Sequence, residues 1–136
     1  FQRMMRISDV SGILLQPMLS GIEIFVGAKF EPSFGHMVLC GLGGIFIEVL
    51  KDVKSSLTPL SMIEAREMIE GLKGRQILDG ARGRKGIDKE KFAEVIVRVS
   101  QLVRAAKVIT EMDINPLLGT PEGIIAVDAR IRVDKG

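Results

Sequence analysis

The sequence predicts an α+β fold in which two main helices pack against an antiparallel sheet. Runs of alternating apolar and polar residues, which are typical of strands, lie at both ends of the chain. Between them, two segments carry apolar residues at helical spacing. The connections between the early strands are too short to hold crossover helices, so neighbouring strands should pair antiparallel. The predicted order is four strands, two helices and two strands.

The first part of the chain contains four predicted strands, over residues 12–19, 22–30, 36–40 and 45–53. The first of these ends near Pro17, because proline cannot donate a hydrogen bond in a central ladder. The last two are joined by the glycine-rich segment 41–44. Residues 1–11 show no clear period and begin with Phe1 instead of methionine. We expect them to be an N-terminal remnant or linker.

Both predicted helices have recognisable N-terminal caps. Ser61 and Glu64 form the S-x-x-E pattern of a capping box, so a helix is predicted to begin at Ser61 and to end at Gly71. Asp88 is predicted to cap a longer helix, whose apolar residues recur at i, i+3, i+4 and i+7. Residues 73–87 hold five basic residues and four glycines. They predict an irregular basic loop with one helical turn near Ile77.

The end of the chain predicts a β-hairpin with one polar face. Glu111, Asp113 and Asn115 alternate with apolar residues up to Pro116, and residues 119–122 have the composition of a turn. If Leu118 pairs with Gly123, Asp113 lies opposite Asp128 and Asn115 lies diagonal to it. Carboxylate and amide oxygens of this kind suit Mg²⁺. A solvated polar face explains the same spacing, and the pattern alone leaves both interpretations open.

Composition excludes several classes of function. Apolar residues make up 46% of the 136, which is enough for a hydrophobic core, and the formal net charge is only +2. The chain has no Trp or Tyr, so stacking on nucleic-acid bases is disfavoured and no nucleic-acid partner is expected. No run of apolar residues is long enough to span a membrane.

Cys40 is predicted to be a buried small residue in a protein of the reducing cytoplasm, and His36 is expected to be structural.

Three short segments contain polar or glycine residues with more than one interpretation. Gly43 and Gly44 allow close approach of a phosphate to the backbone, although their spacing alone favours a plain strand connection. Lys51 suits a phosphate, and Glu48 and Lys51 also suit a solvated face. Glu23 lies among apolar neighbours, where its carboxylate is suited either to sugar hydroxyls or to exposure at a strand edge.

Three segments together resemble a known family. They are Q-P-M-L-S-G-I-E at 16–23, F-G-H-M-V-L-C-G-L-G-G-I-F-I-E-V-L-K-D-V at 34–53, and E-M-D-I-N-P-L-L followed by A-V-D-A-R within 111–130. The chain resembles the C-terminal half of the ATP-grasp domain of NDP-forming acyl-CoA synthetases, which are relatives of the succinyl-CoA synthetase β subunit. The resemblance covers residues 12–133, which we predict to be an ATP-grasp C-terminal subdomain.

The resemblance implies a role for each matching residue. Asn115 and Asp128 match the family's Mg²⁺ ligands, and Asp113 matches an acidic neighbour that supports them. The residues that match nucleotide contacts are Gln16, Pro17 and Met18 at the adenine ring, Glu23 at the ribose hydroxyls, and Gly43 and Gly44 near the phosphates. Glu48 and Lys51 are the candidate catalytic residues. His36 does not match the family's phosphorylated histidine.

The resemblance also implies a reaction and its participants. The family converts acyl-CoA, ADP and phosphate into a carboxylic acid, CoA and ATP, through an acyl phosphate and a phosphohistidine carried on a mobile segment elsewhere. ATP or ADP and Mg²⁺ are the implied cofactors, and a CoA thioester and a carboxylic acid are the implied substrates. The N-terminal ATP-grasp half and the CoA-binding and ligase domains are expected in the same chain or in an α subunit. The isolated chain is therefore expected to be inactive.

Two other functions remain as alternatives. One is a non-catalytic, regulatory ATP-grasp-like module of an acetyltransferase fusion, although a retained Asn115 and Asp128 favour the catalytic version. The other is a small interaction domain that uses the basic loop 73–87 to bind acidic partners. The weak net charge and the scarcity of aromatic residues disfavour this second alternative.

Overall fold

The computed structural model describes residues 1–136 and confirms the α+β class. The strands are β1 (Ile22–Glu31), β2 (Gly35–Leu42), β3 (Val53–Leu57), β4 (Ile109–Thr120), β5 (Gly123–Ala126) and β6 (Ala129–Val133). The helices are α1 (Ile45–Leu50), α2 (Met62–Glu70), α3 (Arg75–Leu78) and α4 (Lys89–Ala105), and a 3₁₀ turn lies at Met4–Arg6. The strand order is β3-β2-β1-β4-β5, β6 also pairs with β4, and every pairing is antiparallel.

The two main helices, α2 and α4, cover one face of the sheet and bury the core there. Phe92 and Ile96 of α4 are fully buried against a sheet surface that includes Ile24 and Val26 of β1. Each large apolar side chain buried in this way contributes about 1.5–3 kcal/mol. Residues of β1 with the opposite parity, including Glu23, point to the other face. None of the helices is both long and apolar enough to cross a membrane.

Both helix caps form as the sequence predicts. The Ser61 N–H donates to the Glu64 carboxylate at 2.8 Å, and the Glu64 N–H donates to the Ser61 hydroxyl at 3.3 Å. The Asp88 carboxylate accepts from the Lys91 N–H at 3.0 Å, at the start of α4. Gly71 caps the end of α2, and the predicted turn within the basic loop is α3.

Two of the four predicted early strands are wrong. Residues 12–19 form no strand, and their side chains are largely exposed, with Met18 at 99%. β1, the strand that follows them in sequence, already pairs with β2 on one side and β4 on the other, so it offers these residues no free edge. The predicted strand 45–53 instead contains helix α1, two connecting residues and the first residue of β3. A short apolar run fits either structure, and the left-handed conformation of Lys51 (φ 47°) ends the helix.

The hairpin forms, but its register differs from the predicted one by two residues. Thr120 pairs with Gly123 across a two-residue turn, Pro121–Glu122, where a four-residue loop was expected. Asp113 therefore lies opposite Arg130, and Asp128 lies opposite Asn115. A shift of two residues preserves the side-chain faces, so the polar face survives the correction. The strand also continues through Pro116, and the buried positions change there from even (Met112) to odd (Leu117 and Gly119) residue numbers.

Candidate functional site

Three of the predicted nucleotide contacts lie together at one end of the sheet. Glu23, Gly43 and Gly44 line a cavity of about 960 Å³ at the start of β1 and the end of β2. The Gly43 N–H donates to the Glu23 carbonyl at 2.7 Å, which fixes the two segments side by side. Gly44 has φ 62°, and a Cβ at this position would collide with the Glu23 carboxylate. A glycine is required here, and the exposed Glu23 side chain borders the cavity.

The basic loop supplies two cavity residues that the sequence interpretation missed. Arg82 and Arg84 line the same cavity as Glu23, and Arg84 also lines an adjoining cavity of about 590 Å³. The sequence signal was present as a basic, glycine-rich stretch, but the sequence connected it only with a disfavoured alternative, the binding of acidic partners. The structure instead folds this stretch against the candidate nucleotide site.

A buried carboxylate holds the start of the basic loop. Asp52, which is 3% exposed, accepts hydrogen bonds from the backbone N–H groups of Lys73 at 2.8 Å and Gly74 at 2.7 Å. Burial, and secondly the charge of Asp52, raise the pKa of the Cys40 thiol to about 12. Cys40 is fully buried and unpaired, which confirms the prediction of a small core residue and argues against a nucleophile.

The hairpin brings the predicted metal ligands to neighbouring positions. The Asn115 N–H donates to the Asp128 carbonyl at 3.1 Å, so the two residues are direct cross-strand partners. Asp113 lies two residues further along β4 on the same face, opposite Arg130. Partial desolvation raises the pKa of the Asp113 carboxyl. Arg130 acts in the opposite direction, and the charges of Glu111 and Asp128 raise the pKa further.

These donors fit Mg²⁺ bound together with phosphate and water. Nowhere in the chain do three or more Asp, Glu, His or Cys side chains converge as a ready-made metal site. Mg²⁺ commonly takes only one or two protein carboxylates, and its other ligands are phosphate and water oxygens. The Asp128 carboxylate accepts from the Ala129 N–H at 3.0 Å and lies 3.6 Å from the Arg130 guanidinium. Arg130 would therefore compete with Mg²⁺ for this carboxylate.

Both the cavity and the predicted metal ligands of the hairpin lie next to β1. Glu23 pairs with Leu118, and an irregularity in the pairing places Asn115 beside Phe25. Two residues of strand separate Glu23 from Phe25, a distance of about 7 Å. Glu23 and Asn115 are both on the sheet face that α2 and α4 leave uncovered. A ribose bound at Glu23 would therefore lie within reach of a phosphate-bound metal at Asn115 and Asp128.

Other predicted site residues lie outside this cavity. Gln16, Pro17 and Met18 are exposed in the segment before β1, and Glu48 and Lys51 are exposed on or after α1. Their assigned roles stay predictions.

His36 lies elsewhere and has a structural environment, as expected. Its Nε2 atom is 2.6 Å from the Ile109 carbonyl, and its ring lies edge-on to Phe30.

Comparison with known proteins agrees with this architecture. The family model described as the ATP-grasp domain matches residues 1–133. The β subunit of the ADP-forming acetate–CoA ligase II of Pyrococcus furiosus is 43% identical over 128 residues, which cover 91% of this chain and 54% of that subunit. The ADP-forming acetate–CoA ligase II of Archaeoglobus fulgidus is 40% identical, over 98% of this chain and 20% of the ligase.

A solved structure extends the similarity to three dimensions. It is the dinucleotide-forming acetyl-coenzyme A synthetase 1 of Ca. Korarchaeum cryptofilum, in complex with coenzyme A and Mg-AMPPCP. The TM-score is 0.82 at 37% identity, with 86% of this chain and 55% of that chain covered. The chain thus spans about half the length of the β-subunit relative and about a fifth of the single-chain one. It belongs to the ATP-grasp domain family, within the branch whose members include the ADP-forming acetate–CoA ligases.

Proposed function

We propose that this chain is the nucleotide- and Mg²⁺-binding part of an NDP-forming acyl-CoA synthetase. The reaction is acyl-CoA + ADP + phosphate ⇌ carboxylic acid + CoA + ATP. One observation carries the proposal: Asn115 and Asp128 are direct cross-strand partners, and Asn115 lies opposite Phe25, which is two residues, about 7 Å, along β1 from Glu23. A nucleotide with its ribose at Glu23 can extend its phosphates to that pair.

Each residue has a distinct part in this arrangement. The Glu23 carboxylate accepts hydrogen bonds from the ribose hydroxyls and so fixes the direction of the nucleotide. Gly44 leaves room beside that carboxylate, because a side chain here would occupy its position. Asn115 and Asp128, with Asp113 nearby, would hold Mg²⁺, which supplies charge neutralisation to the phosphates during transfer.

The proposal requires further protein groups to complete the clamp. An N-terminal ATP-grasp half and the CoA-binding and ligase domains would supply the remaining phosphate, CoA-thioester and carboxylate contacts, in the same chain or an α subunit. The similarity to ligase β subunits that are about twice as long supports this arrangement. These 136 residues alone should therefore show no catalytic turnover of the substrates. We place the protein in the cytoplasm, in agreement with its buried, unpaired cysteine.

The test is Asp128→Asn in the assembled ligase. Because the metal neutralises charge that develops during phosphoryl transfer, we expect kcat to fall much more than ADP affinity. Steady-state kinetics at saturating Mg²⁺, with ADP titration by calorimetry, separates the two effects. The matched control is Asp134→Asn, which changes an exposed carboxylate just past the hairpin. A normal kcat for Asp128→Asn would assign this carboxylate to structure and remove the main support for the proposal.

A further inference from the structure

The candidate nucleotide cavity has a positively charged wall that the proposed function does not yet use. Arg82 and Arg84 line it next to Gly21 and Ile22, and Arg84 also lies beside the hairpin turn at residues 119–122. Neither arginine takes part in any of the chain's nine ion pairs. Arg66, in contrast, is bound through two 2.8 Å hydrogen bonds to Glu90. The cavity arginines therefore have guanidinium groups available to a ligand.

The backbone of the loop holds these arginines in place. The Ile87 N–H donates to the Leu78 carbonyl at 2.8 Å and closes the loop at its base. A Cβ at Gly80 would lie 2.5 Å from the Arg84 carbonyl, and one at Gly86 would lie 2.5 Å from the Leu78 carbonyl. Only glycine fits at these two positions. The loop is therefore a compact turn, and the placement of its arginines is built into the sequence.

The chemistry of the cavity defines the ligand. The Glu23 carboxylate accepts hydrogen bonds and so suits hydroxyl groups, whereas guanidinium groups suit phosphate oxygens, which they bind in bidentate geometry. A single ligand that satisfies both is a sugar phosphate. A volume of about 960 Å³ is within the range of cavities that hold nucleotide-sized molecules.

We propose that Arg82 and Arg84 bind phosphate oxygens of the nucleoside diphosphate whose ribose is held by Glu23. This inference rests on the proposed function and adds a second group of phosphate contacts to it. Arg82, Arg84 and Glu23 line one cavity, and the hairpin turn at residues 119–122 borders the adjoining cavity that Arg84 also lines. Phosphate groups attached to a ribose at Glu23 therefore lie within reach of the arginine side chains.

The test measures binding of adenosine, AMP and ADP to the assembled ligase in the presence of Mg²⁺. The variants are Arg82→Gln, Arg84→Gln and the double variant, and Arg98→Gln on α4 is the matched control, since Arg98 is an exposed arginine far from the cavity. Losing a charge-assisted contact weakens binding by about tenfold or more. We expect this loss for ADP in each cavity variant, a larger one in the double variant, and no change for adenosine. Sensitivity of AMP would assign the contact to the α-phosphate.

Two controls separate the possible failures. Unchanged ADP affinity in the double variant, or an equal loss for adenosine and ADP, would overturn the arginine proposal and leave the proposed function standing. If the wild-type ligase binds pyrophosphate through these arginines but does not bind ADP, the proposed function fails and the phosphate site stands. Binding of neither probe overturns both. Thermal unfolding of each variant checks folding, and Arg84→Lys should recover part of the lost ADP affinity.

Discussion

Removing the Asp52 carboxylate should destabilise the protein far more than removing any exposed acid. Asp52 joins the end of α1 and the start of β3 to the backbone of Lys73 and Gly74, where the chain enters the loop that lines the cavity. At 3% exposure it has almost no contact with water. Asp52→Ala leaves both N–H groups without their acceptor, and Asp52→Asn keeps an acceptor for only one of them.

The magnitude follows from these two bonds. A hydrogen bond to a charged group contributes about 1.5–3 kcal/mol. Lys73 is exposed, so water partly replaces its lost acceptor, while Gly74 is half-buried. We therefore expect Asp52→Ala to lower the free energy of unfolding by about 2–4 kcal/mol, and Asp52→Asn by about half of that. Domains of this size are stable by only about 5–15 kcal/mol, so the loss is a large fraction of the total.

Urea unfolding of the purified chain measures this difference. With an m-value of about 2 kcal/mol/M, Asp52→Ala should lower the midpoint by about 1–2 M. Glu67→Gln and Glu67→Ala, which change an exposed carboxylate on α2, are the controls and should shift it little. If Asp52→Ala unfolds at the wild-type midpoint, the carboxylate does not hold the start of the basic loop.

Three further predictions concern single residues. Glu23→Gln should weaken ADP binding by about 10- to 150-fold and remove discrimination against 2′-deoxy-ADP in calorimetric titrations, and equal treatment of both nucleotides by the wild type would exclude Glu23 as the ribose ligand. The pKa of Asp113 is raised in the fold, so its ionisation costs stability as pH rises through that pKa. Asp113→Asn should therefore stabilise the chain at neutral pH and have no effect below the ordinary Asp pKa, and urea midpoints measured across pH test this. Cys40, whose pKa is raised to about 12, should react with iodoacetamide only after denaturation, and rapid labelling of the native chain would contradict its burial.

Local signals predicted the parts of the fold that local interactions determine. Ser61 and Glu64 form their capping box between residues three apart, and Asp88 caps α4 in the same way. The polar face of the hairpin was predictable because side chains alternate along a strand whatever its partner. The register of the hairpin was not predictable. Residues 119–122 all have turn composition and suggested a four-residue loop, but the turn contains only Pro121 and Glu122.

Features that depend on contacts distant in sequence were missed. Asp52 contacts residues 21 and 22 positions away, and nothing in its neighbourhood marks it as a buried acceptor. Arg82 and Arg84 were visible as part of a basic loop. Their position beside Glu23, however, depends on how that loop closes on itself. Cavities of this kind form between segments, so their residues cannot be found from the spacing within any one segment.

The wrong strand predictions and the unplaced site residues involve the same two segments. Gln16, Pro17 and Met18 lie in residues 12–19, and Glu48 and Lys51 lie in residues 45–53. Both segments expose large apolar side chains: Leu14 is 80% exposed and Val49 is 76% exposed. Exposed apolar surface of this kind is typical of regions that another protein surface covers. In an ATP-grasp clamp, the covering surface would belong to the opposing half. The adenine-contact and catalytic roles implied by the family resemblance for these residues would then require a closed clamp, whereas Glu23, Asn115 and Asp128 are positioned by the sheet itself.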